Sequence, residues 1–261
     1  MSSRFTALII LDGWGLNQNP NHNAVVLADT PTMDHIQAIY PFTTPDTPGR
    51  AVGLPKGLMG NSEVGHLNLG AGRTVLQAMT QVDDRIRDGS LLRNEALIAA
   101  MDRVKATSQN FHFIGLVSDG GVHSWPEHYR GLIQMASQRG LAKDQVYIHA
   151  FTDGRDTPPQ SGLNSMRDLT DMCNQAGVGK IASICGRYYA MDRDQRWDRT
   201  RLAYDCLTLG EGRPETDALK AMQNAYNRGE TDEFVKPIII TTNGKPFCPI
   251  RDGDSVFFFN F

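Results

Sequence analysis

The stretch Phe111-His112-Phe113-Ile114-Gly115-Leu116-Val117-Ser118-Asp119-Gly120-Gly121-Val122-His123-Ser124 is an apolar run that stops abruptly at an acidic, glycine-rich turn. A run that is apolar at nearly every position reads as a strand covered on both faces, the pattern of a central parallel strand. Similar runs recur at Ala7 to Leu11, Val146 to Phe151, Lys180 to Ile184, Pro237 to Thr241 and Ser255 to Phe261. Helical patterns separate most of them. Across Leu91 to Val104, residues Leu92, Ala96, Ala99, Ala100 and Arg103 fall at steps of three and four, and Leu97, Met101 and Val104 widen the apolar side. Tyr129 to Arg139 stops at Gly140, a residue suited to ending a helix. Gly162 to Gln175, Arg199 to Thr208 and Thr216 to Arg228 are further helix candidates. Strands alternating with helices predict an α/β fold with a largely parallel sheet.

Three of the apolar runs end alike, at Leu11-Asp12-Gly13, Ser118-Asp119-Gly120 and Thr152-Asp153-Gly154. Ligands of open α/β sheets bind beyond the carboxyl ends of the strands, although Asp-Gly is also ordinary turn chemistry. The segment from Thr43 to Gly72 is rich in Gly and Pro and has no period, which in a compact domain marks a functional loop or disorder. A compact motif inside it favours function. From Val75 to Asp88 the composition turns charged and helical, which places a domain boundary there.

The 261 residues are 40% hydrophobic and 21% charged, with a formal net charge of -3, an ordinary globular composition. No basic excess points to nucleic acid, and no cationic run points to a membrane surface. The apolar run at Ala7 to Leu11 is too short for a signal core or a membrane span. Cys173, Cys185, Cys206 and Cys248 are scattered without a Cys-x-x-Cys pair, so reduced structural thiols in a cytoplasmic protein are expected.

Five segments could carry chemistry. In Ile9-Ile10-Leu11-Asp12-Gly13-Trp14-Gly15, Asp12 could reach a divalent metal, or simply end a strand. In Gly60-Asn61-Ser62-Glu63-Val64-Gly65-His66, Ser62 stands where a loop could turn into a short helix. A phosphate on that hydroxyl would meet free N–H groups and a positive dipole end. The hydroxyl needs activation, for instance by a metal, and the ordinary alternative is a helix N-cap. His123, after its strand and two glycines, could bind phosphate or move a proton, or be a surface histidine. In Thr152-Asp153-Gly154-Arg155-Asp156-Thr157-Pro158-Pro159, Arg155 and Asp156 could recognise a small acid bearing hydroxyl and phosphate groups, or form a surface ion pair. In Gly186-Arg187-Tyr188-Tyr189-Ala190-Met191-Asp192-Arg193-Asp194, Arg187 and Arg193 could clamp an anion. Arg196, Arg199 and Arg201 read as a solvated, charge-mixed face.

In this order and spacing, these segments resemble the phosphoglycerate mutases that need no bisphosphoglycerate, from about Thr6 to the last residue. The resemblance implies an alkaline-phosphatase-like metal domain, here partial, with an inserted α/β transferase domain. Residues 1–76 would be the N-terminal part of the metal-binding phosphatase domain, and residues 77–261 the phosphoglycerate-binding transferase domain. It also implies that Asp12 is a metal ligand and Ser62 both a metal ligand and the phosphorylated nucleophile. His123, Arg155, Asp156, Arg187 and Arg193 match substrate-binding positions. The implied reaction interconverts 3-phosphoglycerate and 2-phosphoglycerate, in glycolysis and gluconeogenesis, with two Mn ions (Mg in some relatives). A monomer is the habit of that family.

The chain departs from the family pattern at its end, Phe259-Asn260-Phe261, where family members continue with an Arg-x-Asp-Arg pair, a lysine and an Asp/His-rich half. Of the implied metal ligands only Asp12 and Ser62 are present, and no histidine follows His149. The expectation is that this chain alone is inactive, with a poorly folded phosphatase part. A related phosphatase or sulfatase would not need the Arg155, Asp156, Arg187 and Arg193 set, and a phosphoglycerate-binding module would need nothing else. A dinucleotide-binding domain is disfavoured, because no apolar run leads into Gly-x-Gly-x-x-Gly.

Overall fold

The computed structural model describes residues 5–247 and 249–261, so Cys248 lies outside the described residues. The chain divides into two units, Met1–Thr80 and Gln81–Phe261.

The first unit contains α1 (Ala24–Leu27), α2 (Pro31–Ile39), a 3₁₀ turn at Gly49–Val52 and α3 (Ser62–Ala71); α4 (Ala78–Arg87) begins at its end. The Gly- and Pro-rich segment is ordered by side-chain bonds rather than by secondary structure. Asn68 donates to the Val52 carbonyl at 3.0 Å and accepts from the Val75 N–H at 2.7 Å, while the Thr80 hydroxyl reaches the Gly53 carbonyl at 2.6 Å. Gly53 has φ +84°, and a Cβ there would lie 1.9 Å from the Val75 carbonyl oxygen, so only glycine fits.

The strand expected at Ala7 to Leu11 is not formed. A strand is stabilised by a hydrogen-bonded neighbour, and among the described residues no strand pairs with this run. Ile9 is 80% exposed. Among the described residues of this unit, the buried apolar side chains are Val52, Val64 and Met79. At about 1.5–3 kcal/mol each, they offset the ordering cost, about 1–2 kcal/mol per residue, for only a few residues.

The second unit carries the core. After α4 and a 3₁₀ turn at Ser90–Arg93 come α5 (Glu95–Thr107), β1 (Phe111–Leu116), α6 (Pro126–Gln138), β2 (Val146–Thr152), α7 (Gly162–Ala176) and β3 (Lys180–Gly186). There follow α8 (Arg187–Ala190), α9 (Trp197–Thr208), β4 (Arg213–Glu215), α10 (Ala218–Asn227), β5 (Ile238–Thr242), β6 (Lys245–Pro246) and β7 (Ser255–Phe258). The strand order is β4-β5-β3-β2-β1-β7, with β6 paired to β5. β7, β1, β2 and β3 are parallel, but β5 runs antiparallel to β3, so one side of the sheet is mixed.

β1 and β2 are buried at every position, as central strands with both faces covered should be. Phe111 and Phe113 point to the face packed by α5, α6, α7 and α10. Ile114 and Leu116 join Phe151, Cys185 and Ala203 of α9 on the other. In α5 the buried stripe is Leu97, Met101 and Val104, at steps of four and three; Leu92 lies in the preceding 3₁₀ turn, half exposed. Asn94 caps α5 by accepting from the Leu97 N–H at 3.1 Å, so the helix starts after Leu92, and the expected Leu92 stripe is displaced.

A row of polar side chains crosses the sheet. Asp254 meets His112 Nε2 at 3.1 Å, His112 Nδ1 meets His149 Nε2 at 2.9 Å, and His149 Nδ1 meets the Ser183 hydroxyl at 2.8 Å. Burial, and then the neighbouring His112, pushes the His149 imidazole down to about 3. Burial likewise lowers His112 against the pull of Asp254, and lowers His128 against Asp83.

Two outcomes are expected. Below about pH 6.5 the unfolded chain takes up protons that the folded one refuses, so stability falls with pH, by up to about 1.4 kcal/mol per pH unit for each such imidazole. For His149 the loss continues until the pH approaches about 3. Urea unfolding followed from pH 7.5 to pH 5 checks this, and a flat profile would contradict it. In limited proteolysis, cleavage should concentrate within residues 5–60 while the sheet strands of the second unit persist.

Candidate functional site

In the first unit, Leu11-Asp12-Gly13-Trp14 forms a turn closed by the Trp14 N–H on the Leu11 carbonyl at 3.1 Å, with Gly13 at φ +78°. Ser62 is the first residue of α3. The N-cap is Asn61, whose side chain accepts from the Val64 N–H at 3.0 Å, so the capping role open to Ser62 belongs to its neighbour. This leaves the Ser62 hydroxyl to donate to Asp12 Oδ2 at 2.6 Å, across 50 residues of chain. His66 Nδ1 lies 3.2 Å from the same hydroxyl oxygen and 2.8 Å from the Ser62 carbonyl. With the serine proton directed at Asp12, a proton on His66 Nδ1 has the Ser62 carbonyl as its nearer acceptor and the hydroxyl oxygen as the more distant one. Asp12, Ser62 and His66 are all exposed. Sequence reasoning overlooked His66, although its i, i+4 spacing from Ser62 on a helix puts both on one face.

Asp12 and Ser62 offer two converging hard oxygen donors. Mg and Ca take six or more ligands, waters included, and zinc four, and among the described residues no group of three or more His, Cys, Asp or Glu side chains could hold a metal. These residues alone do not build a resident metal site.

In the second unit, the ends of β1, β2 and β3 bring together side chains that are distant in sequence. Arg187, directly after β3, donates from Nη1 to Asp153 at 2.7 Å and to Asp156 at 2.5 Å. The Arg187 side chain is 10% exposed and that of Asp153 only 4%. Asp153, directly after β2, also accepts the Ser118 hydroxyl at 2.5 Å and the backbone N–H groups of Arg155 and Asp156 at 3.1 and 2.9 Å. Burial works against its charge, but these donors and Arg187 outweigh it and hold the carboxyl below the usual range. Burial similarly opposes the Arg187 charge, and Asp156 and Asp153 more than compensate. Gly154 makes the turn possible. Its φ is +69°, and a Cβ would lie 2.7 Å from the Glu233 backbone nitrogen.

Of this arrangement Arg187 lines a cleft of about 270 Å³, together with His123, Arg155, Tyr188, Arg193, Arg199 and Phe234 and the carboxylates Asp192, Asp194 and Glu233. Thus His123, Arg155, Arg187 and Arg193 converge, with Asp156 behind Arg187. Arg155 stands 3.9 Å from Glu233. Arg193 makes no ion pair among the described residues. Arg199, expected on a solvated face, instead lines the cleft with its guanidinium 3.9 Å from the Tyr188 ring centroid and 3.2 Å from Asp192. Arg201 matches that expectation, exposed on α9 and paired with Asp205 at 3.1 Å. Asp153, quoted in sequence only as a strand end, is the buried partner that holds Arg187. Nothing in its Asp-Gly context separates it from Asp119, which is exposed.

Residues 82–261 match the family described as BPG-independent PGAM N-terminus. The chain is 53% identical over 256 residues to the 2,3-bisphosphoglycerate-independent phosphoglycerate mutase 1 of Methanosarcina barkeri, covering 97% of this chain and 49% of the relative. It is 48% identical over 261 residues to the 2,3-bisphosphoglycerate-independent phosphoglycerate mutase of Clostridium perfringens, covering 51% of that protein. The crystal structure of Leishmania mexicana phosphoglycerate mutase at low cobalt concentration superposes with a TM-score of 0.74 at 35% identity, over 91% of this chain and 45% of that one. The chain spans about half the length of the curated relatives it matches. Its α/β architecture, its ordered motifs and these matches together place it in the family of phosphoglycerate mutases that do not require bisphosphoglycerate, whose N-terminal part it matches.

Proposed function

We propose that the cleft at the ends of β1, β2 and β3 binds phosphoglycerate, and that the whole mutase interconverts 3-phosphoglycerate and 2-phosphoglycerate through a phosphoserine at Ser62. The observation that carries the cleft reading is Arg193. It is an exposed guanidinium, unpaired among the described residues, in a cleft with Arg155, Arg187 and His123. Phosphoglycerate carries a phosphate and a carboxylate, and arginines bind both through a planar fork. Arg187, held by two carboxylates, is a fixed donor, whereas Arg193 is free to meet the incoming anion. Asp156 would act through Arg187, whose guanidinium it holds, and His123, which lines the cleft, would donate to a phosphate oxygen.

Ser62 is the acceptor of the phosphoryl group in this reading. The bond from phosphorus to its oxygen forms as the bond to the substrate oxygen breaks, and the proton given up by the serine is matched by the one taken up by the departing glycerate oxygen. The glycerate then reorients, and the phosphoryl group returns to the other hydroxyl. The interaction with Asp12 sets the direction of the serine proton. The start of α3 offers N–H groups for the resulting phosphate. Two Mn ions, or Mg, would supply charge neutralisation for this transfer. Asp12 and Ser62 would offer them two oxygens, fewer than such ions take. The proposed setting is a monomeric enzyme of the cytoplasm acting in glycolysis; among the described residues, no helix is long and apolar enough to cross a membrane.

Titration calorimetry of this chain with 3-phosphoglycerate tests the cleft. One equivalent should bind, and Arg193→Met should weaken binding by at least about tenfold while changing unfolding free energy by no more than about 0.5 kcal/mol. Arg187→Met should lose both, because it leaves Asp153 buried and unpaired at a cost of about 3–5 kcal/mol. No heat of binding from the wild-type chain would overturn the reading. Mutase turnover by this chain alone should be undetectable with Mn or Mg added. Measured turnover would show that the described donors suffice after all.

A further inference from the structure

We infer that Arg199 is a positioning residue for the anion cleft, acting through Arg193. This assignment rests on the reading of the cleft as the phosphoglycerate site. Arg193 is flanked in sequence by two carboxylates, and one guanidinium from α9 meets both. Arg199 Nη1 lies 3.2 Å from Asp192 Oδ1 and 3.8 Å from Asp194 Oδ2. The other Asp192 oxygen accepts the Arg196 N–H at 2.8 Å, fastening the loop to the start of α9. On its far side the Arg199 guanidinium stacks on Tyr188, which follows Arg187 directly and packs on Phe234 with ring centroids 5.0 Å apart. The side chain therefore links the neighbours of one anion-binding arginine to the neighbours of the other.

An ordinary helix-surface ion pair would be exposed on both sides and contribute little. Here the Asp192 side chain is 2% exposed and that of Arg199 20%. A carboxylate so enclosed needs a cation. Without Arg199, the nearest remaining guanidinium in sequence is Arg193 itself. Asp192 would then draw Arg193 out of the cleft and repel a phosphate approaching it. Arg199 balances the charge of the enclosed Asp192 at 3.2 Å, stands 3.8 Å from the exposed Asp194, and leaves Arg193 uncommitted. Lysine would keep the charge but lose the planar face on Tyr188 and the forked reach.

The test uses the 261-residue chain and four variants: Arg199→Met, Arg199→Lys, Arg193→Met and the Arg193→Met/Arg199→Met double. Without ligand, hydrogen–deuterium exchange across residues 191–196 should rise about tenfold in Arg199→Met and less in Arg199→Lys, with β1, β2 and β3 unchanged. With 3-phosphoglycerate, Arg199→Met should weaken binding about tenfold, with partial rescue by lysine, and the double variant should bind no more weakly than Arg193→Met alone. Additive losses would mean that Arg199 touches the ligand itself and would overturn the assignment. So would unchanged exchange in the 191–196 loop. A wild-type chain that does not bind 3-phosphoglycerate would overturn the functional reading, while the exchange comparison still decides whether Arg199 holds the loop.

Discussion

Arg187 places a guanidinium where little water reaches it, and it can do so because Asp153 and Asp156 converge on one of its nitrogens. A cation in that position without partners would be strongly disfavoured. Asp153 in turn is tolerable only because a hydroxyl, two backbone N–H groups and the arginine saturate it. The members of this set come from the ends of three adjacent strands: Ser118 after β1, Asp153 after β2 and Arg187 after β3. The cleft exists because the parallel register of β1, β2 and β3 delivers those three ends to one place.

Charge pairing then sorts the arginines. Arg187 is spent on structure and presents fixed donors. Arg199 is spent on the carboxylates beside Arg193. Arg155 faces Glu233 at a distance too long for a hydrogen bond. Arg193 is left with its full binding capacity. Of four guanidiniums in one cleft, the partners of each determine its task more than its own chemistry does.

The first unit is organised differently. Its serine and aspartate are in hydrogen-bond contact, yet the apolar run leading to that aspartate is exposed and pairs with no described strand. Local devices hold the serine in place: the Asn61 cap, the Asn68 bridge and a glycine that admits no side chain at position 53. These fix the direction of a side chain, but they bury little surface. Geometry of the serine and stability of the unit are thus separable properties here.

The strands β1, β2 and β3 and the helices between them were legible in sequence because burial on both faces leaves an unbroken apolar run, and because helices bury a stripe with their own period. Arg155 and Arg187 stood out because each follows closely on such a run, Ser62 because of the glycine-rich segment around it, and Arg193 because it lies in the loop that follows Arg187. Ala7 to Leu11 carries the same apolar signal without forming a strand, since a strand depends on a neighbour that local composition does not supply. Tertiary structure alone separated Asp153 from Asp119, Arg199 from Arg201, and Asn61 from Ser62 as the helix cap. In each pair the residue types are alike or equally suited. What differs is which partners the sheet, α9 and, for Ser62, the Asp12 turn bring within hydrogen-bond range, and that depends on register and packing rather than on the residue itself.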